Sequence, residues 1–236
     1  VVNASPRGLE LRAHPDDGTL RAALRGRDDL APGDVVALRF EARGRVVPGA
    51  RLGRVGDPEL DFEALCDAHG LPGRFPAACL RELESLGEHA VPADDRLDLR
   101  ALPFVTIDPA RARDHDDAVY AEPEGDGFRL WVAIADVSHY VPEGSALDRE
   151  ARARGNSVYL PDRVVPMLPE RLSGDLCSLR AGQDRLALAV ELFVDAQGAP
   201  RRRRVVPASI RSRARLAYEQ AVVWMAGEGG ADAEVA

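Results

Sequence analysis

The sequence predicts an α+β chain in three blocks: a small β-barrel over residues 1–56, a helical connector over 57–100, and a larger mixed β/α region over 101–236. Three observations predict it. Short runs of strand-forming residues separated by Gly and Pro turns fill the first block. Cap residues and helical spacing of apolar residues mark the second. Beyond Pro103 the strands lengthen and alternate with a capped helix and proline-rich loops.

In the first block the β-type runs are Gly8 to Ala13, Thr19 to Leu24, Asp34 to Phe40 and Arg45 to Val55, with turns at Gly33-Asp34, Gly44 and Pro48-Gly49. Val36, Leu38 and Phe40 alternate with the period of a half-buried strand. Short strands with interspersed arginines fit an OB-like barrel, which serves either to bind an oligonucleotide or as a spacer. In the connector, Asp61 is expected to cap a helix from Phe62 to His69 that Gly70 ends. Pro76 opens a second helix ending at Gly87, with Cys79, Leu80 and Leu83 on its inner face. His69 and His89 are expected on solvated helix ends without a functional role.

The third block opens with an apolar run, Leu102 to Ile107, read as a strand. Ala118 to Ala121 and Phe128 to Ala135 flank Glu124-Gly-Asp-Gly127, a hairpin signal. Asp136 and His139 follow, expected in capping or turn roles. Ser145 with Asp148 forms a capping box for a helix to Arg154, closed by Gly155. Closely spaced prolines between Asn156 and Ser173 fix a stiff, irregular path that can present side chains to a ligand. Tyr159 within it either stacks on a base or belongs to the core. Leu186 to Val194 is a strand, Asp195 to Gly198 a turn, and Arg203 to Arg215 the returning strand. Arg201 to Arg204, with Arg211, Arg213 and Arg215 on one face, make either a solvated surface or a phosphate track. Tyr218 to Met225 begins an amphipathic helix.

Function is concentrated in Thr106-Ile-Asp108-Pro-Ala-Arg-Ala-Arg-Asp114-His-Asp116-Asp117-Ala118, where four carboxylates fall within ten residues after a strand. Like charges this close raise one another's pKa unless a cation neutralises them. Hard oxygen donors in a tight group suit Mg²⁺ or Mn²⁺, ions that also bind substrate phosphates. The competing reading is an Asp-rich turn capping a helix. A calcium loop does not fit. Counting from Asp108 puts alanines at the third and fifth positions, and counting from Asp114 lacks the required glycine.

Composition sets outer bounds. At 236 residues the chain can hold a substantial core, or one small and one medium domain. A net charge of −8 argues against a broadly basic nucleic-acid sleeve, although a local patch can still steer such a substrate. All 31 Lys and Arg residues are arginine, the better bidentate phosphate ligand. No apolar run is long enough for a membrane span and no secretory signal opens the chain. Cys66, Cys79 and Cys177 have neither paired nor metal-type spacing, so a reducing compartment, the cytoplasm, is expected. Val1 in place of Met and the Gly/Ala/Glu-rich stretch 227–236 are expected to be cut ends of a longer protein.

Several segments in order resemble one family, the ribonuclease II and ribonuclease R exoribonucleases, which share the RNB catalytic domain. Phe104 to Asp108 with Asp114 to Ala118 is similar to its catalytic signature, and Val132 to Ser138 to the strand after it. Ser157 to Pro161, Pro166 to Ser173 and Asp175 to Leu179 are similar to its stiff loops, and Ile210 to Tyr218 to a later strand-to-helix segment. The resemblance covers about residues 101 to 226, making the third block an incomplete RNB domain. The barrel and connector resemble the family's second cold-shock domain. It implies a 3′→5′ exoribonuclease that hydrolyses single-stranded RNA processively to nucleoside 5′-monophosphates, with no membrane partner. It implies Asp108, Asp114, Asp116 and Asp117 as catalytic Mg²⁺ ligands (Mn²⁺ as a substitute), Asp116 the least replaceable. Tyr159 is implied to stack near the RNA 3′ end and Tyr218 to wall the nucleotide pocket.

Two departures follow from the resemblance. His115 stands where the family often has an apolar residue, and is expected to point outward rather than to act as an extra ligand. The family's downstream phosphate-binding arginine and C-terminal RNA-binding barrel have no counterpart in the sequence, so a non-catalytic RNA-binding remnant is the alternative reading.

Overall fold

The computed structural model describes residues 2–5, 8–11, 29–40, 46–87 and 95–227. The expected strand at Thr19 to Leu24, the turn at Gly44, His89 and the stretch after Gly227 lie outside the described residues. Two compact units divide the chain at Arg74/Phe75. The predicted connector is therefore split: its first helix belongs to one unit and its second to the other.

In the first unit β1 (Val2–Ser5) pairs antiparallel with β2 (Gly8–Leu11), and β3 (Asp34–Phe40) with β4 (Val46–Arg54). The Gly33 N–H donates to the Val2 carbonyl at 2.8 Å, and Val2, Leu30 and Val36 form the apolar centre with Leu38 against it. Helix α1 runs Pro58–His69 and starts four residues earlier than expected from an Asp61 cap. Asp57 is the cap, its carboxylate accepting the Glu59 N–H at 3.1 Å. The Asp57-Pro58 pair is a cap followed by a first-turn proline, which needs no N–H there. Gly70, at φ +63°, ends the helix.

The second unit begins with α2 (Ala77–Ser85). Cys79 is buried and Leu83 and Leu86 pack on the core, whereas Leu80 is 43% exposed, contrary to expectation. At about 100° per residue, positions four and seven beyond Cys79 share its face and the next position turns away. The unit continues through β5 (Leu97–Asp98), β6 (Val105–Asp108), β7 (Asp117–Glu124), β8 (Gly127–Ala135), the short α3 (Val137–Tyr140) and α4 (Ala146–Arg154). The Ser145 hydroxyl accepts the Asp148 N–H at 3.0 Å, and Gly155 at φ +76° closes α4, as the sequence predicts. A small hairpin, β9 (Val158–Tyr159) with β10 (Val164–Val165), and a π-helical turn (Leu172–Leu176) occupy the proline-rich stretch. Then come β11 (Asp184–Val194), β12 (Pro200–Arg211), β13 (Ala214–Ala217) and α5 (Tyr218–Met225).

Seven of these strands form one sheet in the order β13-β6-β7-β8-β11-β12-β5, antiparallel from β6 to β12 and parallel at both outer pairs. The expected single strand from Arg203 to Arg215 is two strands, lying five neighbours apart. Residues 211 and 214 can be at most about 11 Å apart along the chain, whereas five flat strand spacings span about 24 Å. The sheet therefore curls. The Ser212 hydroxyl lies within reach of the Phe104 carbonyl, and the Arg213 N–H donates to that carbonyl at 2.7 Å. One face carries the core, with Phe104, Trp131, Leu147, Leu172, Leu179 and Ile210 among its buried members. On the other face Val105, Val119, Val132 and Val190 sit side by side on successive strands. A cavity of about 580 Å³ lies there, lined by Val105, Val119 and Val132 together with Pro103, Leu216 and Trp224. The α+β architecture is that predicted. No helix among the described residues is long and apolar enough to cross a membrane.

Candidate active site

The curl brings three segments to one end of the sheet. Strand β6 ends at Asp108, the loop 109–116 follows, and β7 starts at Asp117, so all four aspartates lie on one strand–loop–strand turn. Ala217 is the register partner of Asp108 in the parallel β13/β6 pair, which puts Tyr218, first residue of α5, beside the end of β6. Alternation on β7 buries Ala118 and leaves Asp117 exposed.

Backbone bonds fix the loop from behind. The Ala135 N–H donates to the Asp116 carbonyl at 2.8 Å, and the Leu179 N–H to the His115 carbonyl at 2.8 Å. The His115 N–H donates to the Ser178 Oγ at 3.1 Å, and that hydroxyl donates to the Arg113 carbonyl at 3.0 Å. His115 is thereby drawn inward, with 5% of its surface exposed, and the outward placement expected for it is wrong. Its Nδ1 lies 2.8 Å from Asp108 Oδ2. A carboxylate only accepts, so the proton of this bond is on Nδ1.

Asp116 shows the electrostatic condition of the site. Partial withdrawal from water, then the charges of Asp114, Asp108 and Asp117 in that order, push its carboxyl above the ordinary range, with His115 opposing weakly. Among the described residues none of the four is paired with an arginine. Neighbouring carboxylates differ. Arg96 meets Asp136 at 2.5 Å with both side chains largely out of solvent, at 9% and 12% exposure. Burial works against the Asp136 carboxylate, but hydrogen bonds from Ser138 and Arg96 win and hold it below its usual range. Asp136 stands at the N-cap position of α3, as expected, and its carboxylate is also held by that ion pair and by the Ser138 hydroxyl. His139 is exposed and stands edge-on to Tyr140.

Tyr159 is 68% exposed, which removes the core reading. Its hydroxyl donates to Asp114 Oδ2 at 3.1 Å, and burial of that hydroxyl, then the Asp114 charge, push it upward. Tyr218 is 54% exposed. Cys177, packed behind the loop, stays a thiol: burial and then the charges of Asp116 and Asp136 push it up to about 12. All three cysteines are buried. The arginines once open to a phosphate-track reading are largely engaged. Arg201 meets Asp195 at 2.7 Å, Arg204 meets Glu191, Arg211 meets Asp184 at 2.6 Å, and Arg202 lies 3.8 Å over the Phe193 ring.

As the side chains stand, no three His, Cys, Asp or Glu groups among the described residues converge closely enough to grip an ion. Two of the four aspartates are held by protein donors, Asp108 by His115 and Asp114 by Tyr159. The donor set itself, carboxylate oxygens without arginine counterions, fits a small hard divalent cation.

A curled mixed sheet with an aspartate cluster at one strand end defines a class of acidic strand-end sites. Residues 96–236, more than half of the chain, match the family model described as RNB domain, and the chain belongs to that family. Among its relatives, ribonuclease R of Acidithiobacillus ferrooxidans is 48% identical over 180 residues, 75% of this chain and 41% of that protein. Ribonuclease R of Vibrio parahaemolyticus is 43% identical over 206 residues, 83% of this chain and 25% of that protein. The chain thus spans between a quarter and two-fifths of the length of these two relatives. Mycoplasma genitalium RNase R, solved in complex with ribose methylated single-stranded RNA, superimposes with a TM-score of 0.80 at 29% identity, covering 100% of this chain and 39% of that one.

Proposed function

We propose that this chain carries the acidic site of a 3′→5′ exoribonuclease, one that hydrolyses single-stranded RNA processively to nucleoside 5′-monophosphates in the cytoplasm. One observation carries the reading: four aspartates share one strand–loop–strand turn with no arginine paired to any of them among the described residues, and partial burial, then three of those charges, press Asp116 upward. A protein that tolerates such repulsion has a use for a cation there. Mg²⁺, or Mn²⁺ in its place, is the proposed cofactor, with Asp108, Asp114, Asp116 and Asp117 as its ligands. When bound, such an ion would lower the pKa of a water so that hydroxide is available to attack phosphorus near neutral pH, and would offset charge on the leaving oxygen.

The remaining work falls to the chain's own side chains. Tyr159, exposed beside Asp114, offers a ring on which a base of any identity can stack, worth roughly 1–3 kcal/mol. Tyr218, next to the end of β6, is assigned the wall of the nucleotide pocket, where contacts to the sugar 2′-hydroxyl would select RNA over DNA. The RNA-bound Mycoplasma genitalium relative supports RNA as the ligand. The alternative, a non-catalytic chain that binds RNA through its N-terminal barrel and its arginine face, is weakened because three of those seven arginines, Arg201, Arg204 and Arg211, already hold carboxylates.

The test is release of mononucleotides from a single-stranded RNA by the full chain with Mg²⁺. Asp116→Asn should lower the rate by a factor on the order of 10² to 10³. The same product at the same rate from that variant removes the mechanism. RNA binding that survives chelation, with no product from the wild-type chain, favours the alternative.

A further inference from the structure

We propose that His115 is a positioning residue for Asp108. This rests on the reading of the aspartate cluster as a divalent-cation site, and assigns a role to a side chain outside the proposed ligand set. Three observations converge on it. The ring is buried, with 6% of the side chain exposed, between two aspartates that are more open to solvent than it is. Its backbone is pinned on both sides, the N–H to Ser178 Oγ at 3.1 Å and the carbonyl by the Leu179 N–H at 2.8 Å. Its Nδ1–H donates to Asp108 Oδ2 at 2.8 Å.

A donor fixed in this way does what solvent cannot. Asp108 ends a strand, and its carboxylate would otherwise turn about two side-chain bonds next to three like charges. Binding Oδ2 to a buried ring removes that freedom and leaves Oδ1 to serve the cation. Partners of this kind, which hold a metal-binding carboxylate without touching the ion, commonly change metal affinity by about 10- to 100-fold when removed. Ser178 supports the arrangement one step further back, by tying the His115 N–H and the Arg113 carbonyl to one hydroxyl.

The experiment uses the full chain and Mn²⁺ alone, followed by electron paramagnetic resonance, with thermal melting of the metal-free proteins alongside. His115→Phe keeps a buried ring and removes the donor. His115→Asn places an amide N–H where Nδ1 stood. Mn²⁺ affinity should fall about 10-fold or more in the Phe variant and return to within about threefold of wild type in the Asn variant. Equal affinity in wild type and a folded Phe variant overturns the proposal alone. Absence of Mn²⁺ binding by the wild-type chain overturns the cation-site reading and this proposal with it. Should the Phe variant fail to fold, ¹⁵N resonances of the wild-type ring decide: a protonated Nδ1 whose signal moves on Mg²⁺ addition supports the role. A protonated Nε2 with bare Nδ1, or no movement, overturns it.

Discussion

Where β7 turns into β8 and β11 into β12, acids and arginines interleave on one face of the sheet. Glu191, 5% exposed, receives Arg204 and lies 3.8 Å from Arg129, which reaches Glu124 at 2.5 Å and Glu122 at 3.2 Å. Asp195 holds the following turn by accepting the N–H groups of Gln197 and Ala199, and meets Arg201 at 2.7 Å. At the opposite end of the same strands, Asp108, Asp114, Asp116 and Asp117 stand together without an arginine. Nor is arginine scarce there, since Arg96 reaches Asp136, and Arg100 and Arg211 both reach Asp184. The contrast is thus local to one loop. A sheet that neutralises its other carboxylates in this way leaves one group uncompensated, which is the expected condition of a site whose cation comes from outside the chain.

The largest effect that sharpens this contrast comes from the compensated carboxylate nearest the cluster. Arg96→Ala would leave Asp136 largely buried without its cation, at a cost of about 3–5 kcal/mol. Urea unfolding should show that loss in the midpoint. The same pair sets an acid limb. Asp136 and Asp184 are held below the usual carboxylate range, so the stability they contribute is present above that range and lost as pH falls through their folded values. A variant as stable as wild type would mean that the Arg96 pair is not what holds Asp136.

At the arginine end the effect is smaller. Glu191→Gln keeps the shape but weakens two charge-assisted contacts, one to an arginine that is 54% exposed. Solvent screening leaves a loss of about 1–2 kcal/mol, measurable in the same denaturation experiment. No change at all would show that the interleaved charges are ornamental, and the contrast between the two ends would lose its footing.

What the sequence discloses follows the range of the interactions involved. The aspartate cluster is visible because its members are chain neighbours, and so are the Ser145 cap, the Gly155 stop and the Gly125–Gly127 turn. Features made by distant partners are not. His115 looks outward in the sequence because Ser178, which receives its N–H, is 63 positions away. The ion pair of Asp136 is equally hidden, because Arg96 is 40 positions away. The break between β12 and β13 hides in an uninterrupted alternation of arginines, since nothing local signals that the sheet must curl. Leu80 looks inward in the sequence because it is apolar, but the helical angle turns it away from Cys79 and leaves it exposed.

The smallest expected effect is also the one whose sign matters most. Without divalent ions, Asp116→Asn removes one of four mutually repelling charges, so it should raise stability, by about 0.5 kcal/mol once solvent screening is allowed for. The pH dependence follows from the raised folded value of Asp116. Its repulsion is fully present well above that value and is relieved as protons bind, so wild type should gain stability as pH falls toward the ordinary carboxylate range. The Asn variant should lack that gain. Denaturation midpoints in chelator across this range compare the two curves directly. Adding Mg²⁺ should then reverse their order, because only the intact cluster gains from binding the ion. If Asp116→Asn instead destabilised the metal-free chain as Glu191→Gln is expected to, Asp116 would already be compensated within the fold. The two ends of the sheet would then be alike, and the case for a cation at the cluster would fail with the contrast.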